Sequence, residues 1–511
     1  MRTRQIAANQ PPAASDRVAL AVALPALIVH AAFAGRYDVF RDELYFIVCG
    51  RHPAFGYADQ PPLVPLLSAA LYAFGHSTWL LRLPDILAAA GLVWLTVRFA
   101  RLLGGGDAAA TAAGIAVAAA PMFLGIFATL NTTVFEPLAW TASAYGLARA
   151  GISDDRRALV WTGAVAGIEL EAKYSLVMWL LALLIAVAAG GGRRLLARRE
   201  LWLGVALASA LAVPSVVWQA ANGWPFAELV RAAGAKNAVV SPAAFLVNQI
   251  LVMNPLLAPL WMLGIAAPFV WADLARVRFL AIAFVLVVAL ALASHGKDYY
   301  VAAGYPSMFA LGGIALERLV RAWSVRAAYL ASAVAVSAVA APAALPVLAP
   351  EEIAPYLQRI HLTPQQQERS FAGTNLPQQF ADELGWRDYV RQVGSAYAAL
   401  PTAVKAATAI KVDNYGEAAA LDVYGSPYDL PPALSGHNQY YIWGLRGQRP
   451  HNVLVVQRHP EALAPYCSAV RMFGTTYSRY AMAYENGKSI ALCRGVHPPL
   501  EALWPHLKNF S

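Results

Sequence analysis

Charge is scarce in this chain. Of 511 residues, 14% are Asp, Glu, Lys or Arg, against about 25% in soluble globular domains. An ordinary soluble protein of this length is therefore excluded. Cysteine is scarcer still, with only Cys49, Cys467 and Cys493. They form no CxxC pair and no metal-ligand spacing. A Walker A loop, a GxGxxG turn opening a helix and a GxSxG elbow are all missing, so no motif points to a bound nucleotide.

Apolar residues fill the space that charge leaves. They make up 59% of the chain, and mean hydropathy is +0.48. Runs near twenty apolar residues recur over the first 350 positions. Each is long enough to cross a hydrocarbon layer of about 30 Å. The runs lack the short alternation of barrel strands, so helices are expected. Spans are placed near 18–35, 80–103, 108–127, 134–150, 158–172, 175–190, 201–219, 247–270, 279–295, 301–317 and 327–349. The pair 158–172 and 175–190 is short enough to be a hairpin that does not cross fully.

The net charge of +9 does not require nucleic acid as a partner. Its basic residues fall mostly in short loops, where the positive-inside rule accounts for them. Arg2, Arg4 and Arg17 precede the first span, and Arg98 and Arg101 follow the second. Arg193, Arg194, Arg198 and Arg199 follow the sixth. With eleven alternating spans this side is cytoplasmic, the N-terminus lies inside and the C-terminus outside. The first span has no clear cleavage site behind it and is read as retained.

The opposite, outer side then collects FRDELYF (40–46), NTTVFEP (131–137), NGWPF (222–226) and HGKDYY (295–300). Polar groups beside a membrane are costly and tend to be functional. Asp42 and Glu43 are neighbours, so on a helix they diverge by about 100° and cannot both reach one atom. One can face a reacting hydroxyl while the other meets a structural partner. Asp38 and Asp42 would share a helix face. A carboxylate shielded from water makes a better base; the alternative is a solvated loop acid paired with Arg41. Asp59, just ahead of Pro61 and Pro62, is either a helix cap or a second acid. Lys297, beside Tyr299 and Tyr300, either meets a phosphate or snorkels to the interface. Lys173 either meets a phosphate or pairs with Glu169. Glu136 is either a buried acid or a cap.

Beyond about residue 350 the composition turns polar and no further span fits. Residues 351–511 are expected to form a small α/β domain outside the membrane, and residues 1–350 the membrane module. ATAIKVDNYGEAAALDVYG has the pattern of strand, turn and helix. NVLVVQ and SIALCRG have the pattern of buried strands. Cys467 and Cys493 both lie there. In an oxidising compartment they are either bridged or two buried thiols.

The stretch DELYFIVCGRHPAFGYADQPPLVPLL resembles the first outer loop of bacterial family-39-type glycosyltransferases. These are related to protein O-mannosyltransferases and to the aminoarabinose transferases that modify lipid A. The resemblance continues through EAKYSLVM, NGWPF, GKDYYVAAGYP, LPQQFADELGW, NYGEAAALDVYG and SGHNQYYIWG, and so over nearly the whole chain. It implies a polytopic GT-C fold in the bacterial inner membrane. It implies inverting transfer of a sugar from a polyprenyl-phosphate donor to an envelope glycan, glycolipid or protein, among membrane lipids. Asp42 matches the catalytic base and Glu43 the acid that orients the site. Asp59, Glu136, Lys173, Lys297, Tyr299 and Tyr300 become substrate-binding candidates. Some relatives carry Lys where this chain has Gln60. Metal use varies among relatives, so a divalent cation stays open, without a His ligand to assign. The competing readings are a transporter or flippase of a lipid-linked sugar, and an assembly protein that works through residues 351–511.

Overall fold

The structure is a computed structural model that describes residues 12–190, 192–236, 240–363, 368 and 371–511. Arg2 and Arg4, used above for orientation, lie outside the described residues. The chain is mostly helical, with one five-stranded sheet near its C-terminus. It divides into two compact units. One comprises Met1–Gly35, Leu81–Pro214 and Val239–Val347, and the other Arg36–Leu80, Ser215–Ala238 and Leu348–Ser511. The last boundary falls between Val347 and Leu348. The loop carrying Asp42 and Asp59, however, groups with the C-terminal segment rather than with the first unit.

The first unit is a bundle of apolar helices. Among the described residues of the whole chain, five helices are long and apolar enough to cross a membrane: Asp16–Phe33, Leu83–Leu102, Arg199–Ala221, Ala272–Ala293 and Trp323–Ala343. The pair Pro242–Val252 and Pro255–Val270, bent by 96°, makes a sixth if counted as one span. Only 11% of the Trp323–Ala343 window is buried. Water would penalise so much bare apolar surface, and lipid tails would not. The chain is a multi-pass membrane protein.

Several expected spans are shorter than their apolar runs suggested. The 108–127 run breaks into Asp107–Ala118 and Pro121–Ile126, because Pro121 lacks the amide needed to continue the first helix. Arg157–Leu170 and Leu176–Ala189 have 14 residues each, about 21 Å at 1.5 Å per residue, short of a full crossing. Close packing needs small side chains here. A Cβ on Gly163 would lie 2.1 Å from the carbonyl oxygen of Gly204, so any larger residue would force those helices apart. Trp140 and Trp179, both fully buried, stack at 4.8 Å in the same core.

In the second unit, five strands form a sheet: β1 Thr408–Val412, β2 Leu434–Ser435, β3 Asn452–Gln457, β4 Cys467–Thr475 and β5 Ser489–Val496. Their order is β2-β1-β3-β5-β4. β1 runs parallel to β2 and β3, while β5 is antiparallel to β3 and β4. β1, β3 and β5 lie at the three expected strand segments, and all are largely buried. β4 had no apolar signature because it is an edge strand, exposed along most of its length. A disulfide joins Cys467 to Cys493, and Cys49 is a buried free thiol.

Candidate active site

Asp42 sits in the first turn of the helix Arg41–Arg51. That helix starts where it does because Phe40 is extended and its backbone N–H donates to Glu43 Oε2 at 2.7 Å. Glu43 is fully buried and closes the first turn, as an acid three residues past a cap does. Asp38 lies before this helix, so the expected shared face with Asp42 does not form. Asp38 instead accepts from Arg387 and from the Tyr424 hydroxyl.

Two donors hold one oxygen of Asp42. Arg41 Nε reaches Oδ1 at 3.1 Å, and the Tyr415 hydroxyl donates to the same atom at 2.8 Å. The Asp42 side chain is 30% exposed, and Oδ2 accepts no hydrogen bond among the described residues. Arg41, nearly buried, also donates through Nη1 to the Tyr484 hydroxyl at 2.6 Å and lies 3.5 Å from Asp382 Oδ2. Asp42 is thus neither a freely solvated loop acid nor a simple partner of Arg41. It is a fixed carboxylate with one open oxygen.

Asp59 is not a helix cap. The next helix, Leu63–Ala73, has Pro62 at its N-cap and no side-chain cap. Asp59 Oδ1 accepts from the Tyr45 hydroxyl at 2.9 Å, and Oδ2 from Asn438 Nδ2 at 3.0 Å. The Tyr45 hydroxyl in turn accepts from the Gln439 amide at 3.1 Å. The rings of Tyr45 and Tyr415 pack 4.5 Å apart, so the tyrosines bound to Asp59 and Asp42 are in contact.

Burial pushes the Asp59 carboxyl up to about 6, against the pull of the Tyr45 and Asn438 hydrogen bonds. Burial likewise raises Asp382 to about 6, and Arg41 only partly offsets it. Both values exceed the usual carboxylate value of about 4. The folded chain therefore keeps protons that the unfolded chain has lost. That contribution to stability is complete below about pH 4 and disappears as pH rises through about 6. Thermal unfolding of the full chain should shift to lower temperature between pH 4.5 and 7. Asp382→Asn should give a shallower slope over that window, and an unchanged slope would contradict the assignment.

The other candidates lie in the first unit. Glu136 opens the helix Glu136–Ser153, but Phe135 is the N-cap. The Glu136 carboxylate, 2% exposed, accepts from Lys173 Nζ at 2.7 Å and from the Ser175 hydroxyl. Glu136 is thus a buried acid and not a cap. Lys173 makes its ion pair with Glu136 rather than with Glu169, and it also donates to Thr133 Oγ1 at 2.8 Å. Its ammonium lies 5.6 Å from the Tyr299 ring centre, and Tyr299 meets Tyr300 edge to face. Lys297 is half-buried at the N-cap of the short turn Asp298–Gly304 that carries both tyrosines.

Of the expected residues, Asp42, Glu43 and Asp59 fall in one unit. Glu136, Lys173, Lys297, Tyr299 and Tyr300 fall in the other. Reading the sequence offered Arg41 as a partner of Asp42, but missed Tyr45, Asp382, Tyr415, Asn438 and Tyr484. Asp382, Tyr415 and Asn438 lie inside FADELGW, NYGE and SGHNQYY, stretches whose pattern was visible but whose contacts were not. Among the described residues, no group of three or more His, Cys, Asp or Glu could hold a metal ion.

Residues 59–218 match the family described as dolichyl-phosphate-mannose-protein mannosyltransferase. No curated protein matches the sequence significantly. The crystal structure of ArnT from Cupriavidus metallidurans bound to undecaprenyl phosphate superposes with a TM-score of 0.60 at 16% identity, over 96% of this chain and 99% of that one. The apo structure of the same ArnT gives 0.57 at 15% identity, over 94% and 98%. Over 96% of its length, then, the chain has an ArnT-like fold, and from Asp59 to Trp218 its sequence is similar to that mannosyltransferase family.

Proposed function

We propose that this chain is an inverting GT-C glycosyltransferase of the bacterial inner membrane. It moves a sugar from a polyprenyl-phosphate donor to an envelope acceptor on the outer face. The observation that carries the reading is Asp42, a carboxylate with Oδ1 held by two donors and Oδ2 open. The ArnT-like fold supports it, since one of those ArnT structures contains undecaprenyl phosphate. In this reading up to eleven helices cross or enter the membrane, the N-terminus is cytoplasmic and residues 351–511 are extracytoplasmic.

Asp42 Oδ2 removes the proton from an acceptor hydroxyl. The freed oxygen attacks the anomeric carbon from the side opposite the phosphate. The bond from that carbon to the phosphate oxygen breaks, its electron pair leaves with the polyprenyl phosphate, and the configuration inverts. Glu43 keeps the first turn, and so Asp42, in place. Asp59 binds substrate near Asp42. Lys173 and Lys297 meet the donor phosphate, Glu136 sets the position of Lys173, and Tyr299 and Tyr300 line the lipid path. A fixed ammonium facing charge that builds on a leaving phosphate is an efficient stabiliser. A divalent cation, if used, would need donors from water and substrate phosphates, as Mg²⁺ commonly has, since the described residues hold no three-residue cluster of acids, His or Cys that could hold a metal ion.

Among the described residues, the bent pair Pro242–Val252 and Pro255–Val270 is a feature that a translocator of lipid-linked sugars would share. Proteoliposomes loaded with a donor labelled in the sugar separate the two activities. Transfer leaves label on a new acceptor with inverted configuration by NMR. Label crossing the bilayer still attached to its lipid would favour the translocator.

A further inference from the structure

Asp42 is held from far along the chain. Tyr415 opens the helix Tyr415–Tyr424 directly after β1, and 373 positions separate it from Asp42. Several features fix where its hydroxyl goes. Asn414 caps the helix by accepting from the Glu417 amide at 3.0 Å, and Glu417 Oε2 accepts from the Asp413 amide at 2.9 Å. Asn414 Nδ2 also donates to Glu485 Oε1 at 2.9 Å. The next residue has to be glycine, because a Cβ on Gly416 would lie 2.4 Å from Arg41 Cγ. The Tyr415 ring is held between Tyr45, at 4.5 Å, and the Arg41 guanidinium, 5.4 Å from its centre.

We propose that Tyr415 is a positioning residue for the Asp42 carboxylate, so that the segment after residue 350 completes the proton-accepting group. This rests on the reading of Asp42 as the base. A carboxylate on a short side chain swings about its last torsion unless both rotation and tilt are fixed. Arg41 approaches Oδ1 from Asp42's own helix, and Tyr415 approaches it from the other segment. With both in place, the lone pairs of Oδ2 keep one direction. Without Tyr415, the carboxylate spends less time aimed at the acceptor hydroxyl, and small misalignments of this kind are costly. The hydroxyl touches neither sugar nor phosphate in this scheme. It acts only through Asp42.

Tyr415→Phe keeps the ring packed against Tyr45 and removes only the hydroxyl. Initial rates of sugar transfer are to be measured for wild type, Tyr415→Phe, Asp42→Asn and the double variant, together with thermal unfolding. The expected result is a kcat about tenfold lower for Tyr415→Phe, with both KM values and the unfolding temperature unchanged. The double variant should be no slower than Asp42→Asn alone, because the hydroxyl has then lost the group it serves. Tyr484→Phe, one contact further away through Arg41, supplies a second variant should Tyr415→Phe not fold. Its smaller loss should likewise vanish in the Asp42→Asn background. A wild-type rate in Tyr415→Phe, or a loss that persists undiminished beside Asp42→Asn, overturns the proposal while leaving the transferase reading intact. Absence of transfer by the wild type itself overturns both.

Discussion

Asp42→Asn should leave a folded protein whose sugar transfer is lower by about 10²–10⁴-fold. Asparagine has the shape of aspartate, and its oxygen still accepts from Arg41 and the Tyr415 hydroxyl. The atom in the open position becomes an amide nitrogen that cannot take a proton. Donor affinity should be unchanged, because the base acts on the acceptor. The loss should therefore appear in kcat, with donor KM within about twofold of wild type. Equal losses in both parameters would move Asp42 from proton transfer to substrate binding. Gln60 makes a useful contrast: it is buried next to Asp59, and the mechanism above assigns it no proton.

Lys488→Met should destabilise the second unit by about 3–5 kcal/mol. Lys488 is 6% exposed, and its ammonium is bonded to Glu417 and lies 3.4 Å from Glu485 and 3.6 Å from Asp413. Glu417 and Glu485 are themselves buried. Burial pushes the Glu417 carboxyl up, and the neighbouring Glu485 adds to this, while Lys488 opposes them. For Lys488 itself burial works downward, but Glu417, Glu485 and Asp413 outweigh it and hold it charged. Without the lysine, the acids must either repel one another in a medium of low polarity or take up protons. The defect should therefore be large at pH 8 and shrink toward pH 5, as protonation relieves the repulsion. Thermal unfolding of the full chain in detergent at the two pH values reads this directly. A loss independent of pH would mean that lost packing, not charge, is the cause. Because Glu417 and Asn414 form the cap beneath Tyr415, the variant should also transfer sugar more slowly where it remains folded.

Local and long-range features were not equally legible in the sequence. The membrane character follows from composition, since so many apolar residues must be buried in a core or face lipid, which leaves few alternatives. The strand, turn and helix around NYGE follow from β-branched residues ahead of an Asn cap and an alanine-rich run. The pairing of Cys467 with Cys493 stood as one of two options, and the structure bridges them. The acids at 42 and 59 were visible as unusual residues in an apolar setting. What they bind was not visible. Asp59 was as plausible a helix cap as a site residue, because proline follows it. Only the approach of Tyr45 and Asn438, the latter 379 positions away, settles its hydrogen bonds. Lys173 has an acid four residues earlier, yet it turns to Glu136, 37 positions away. Spacing along a helix reports which pairs are possible, and packing of distant segments decides which pair forms.

The most direct test of the account is acceptor-dependent release of polyprenyl phosphate. Purified wild-type protein would be given a panel of polyprenyl-phosphate sugars, aminoarabinose among them, with envelope extract as acceptor. The account predicts release of polyprenyl phosphate with at least one donor, dependent on the extract and matched mole for mole by sugar on the acceptor. No release with any donor, from protein shown to be folded by its unfolding transition, would contradict it.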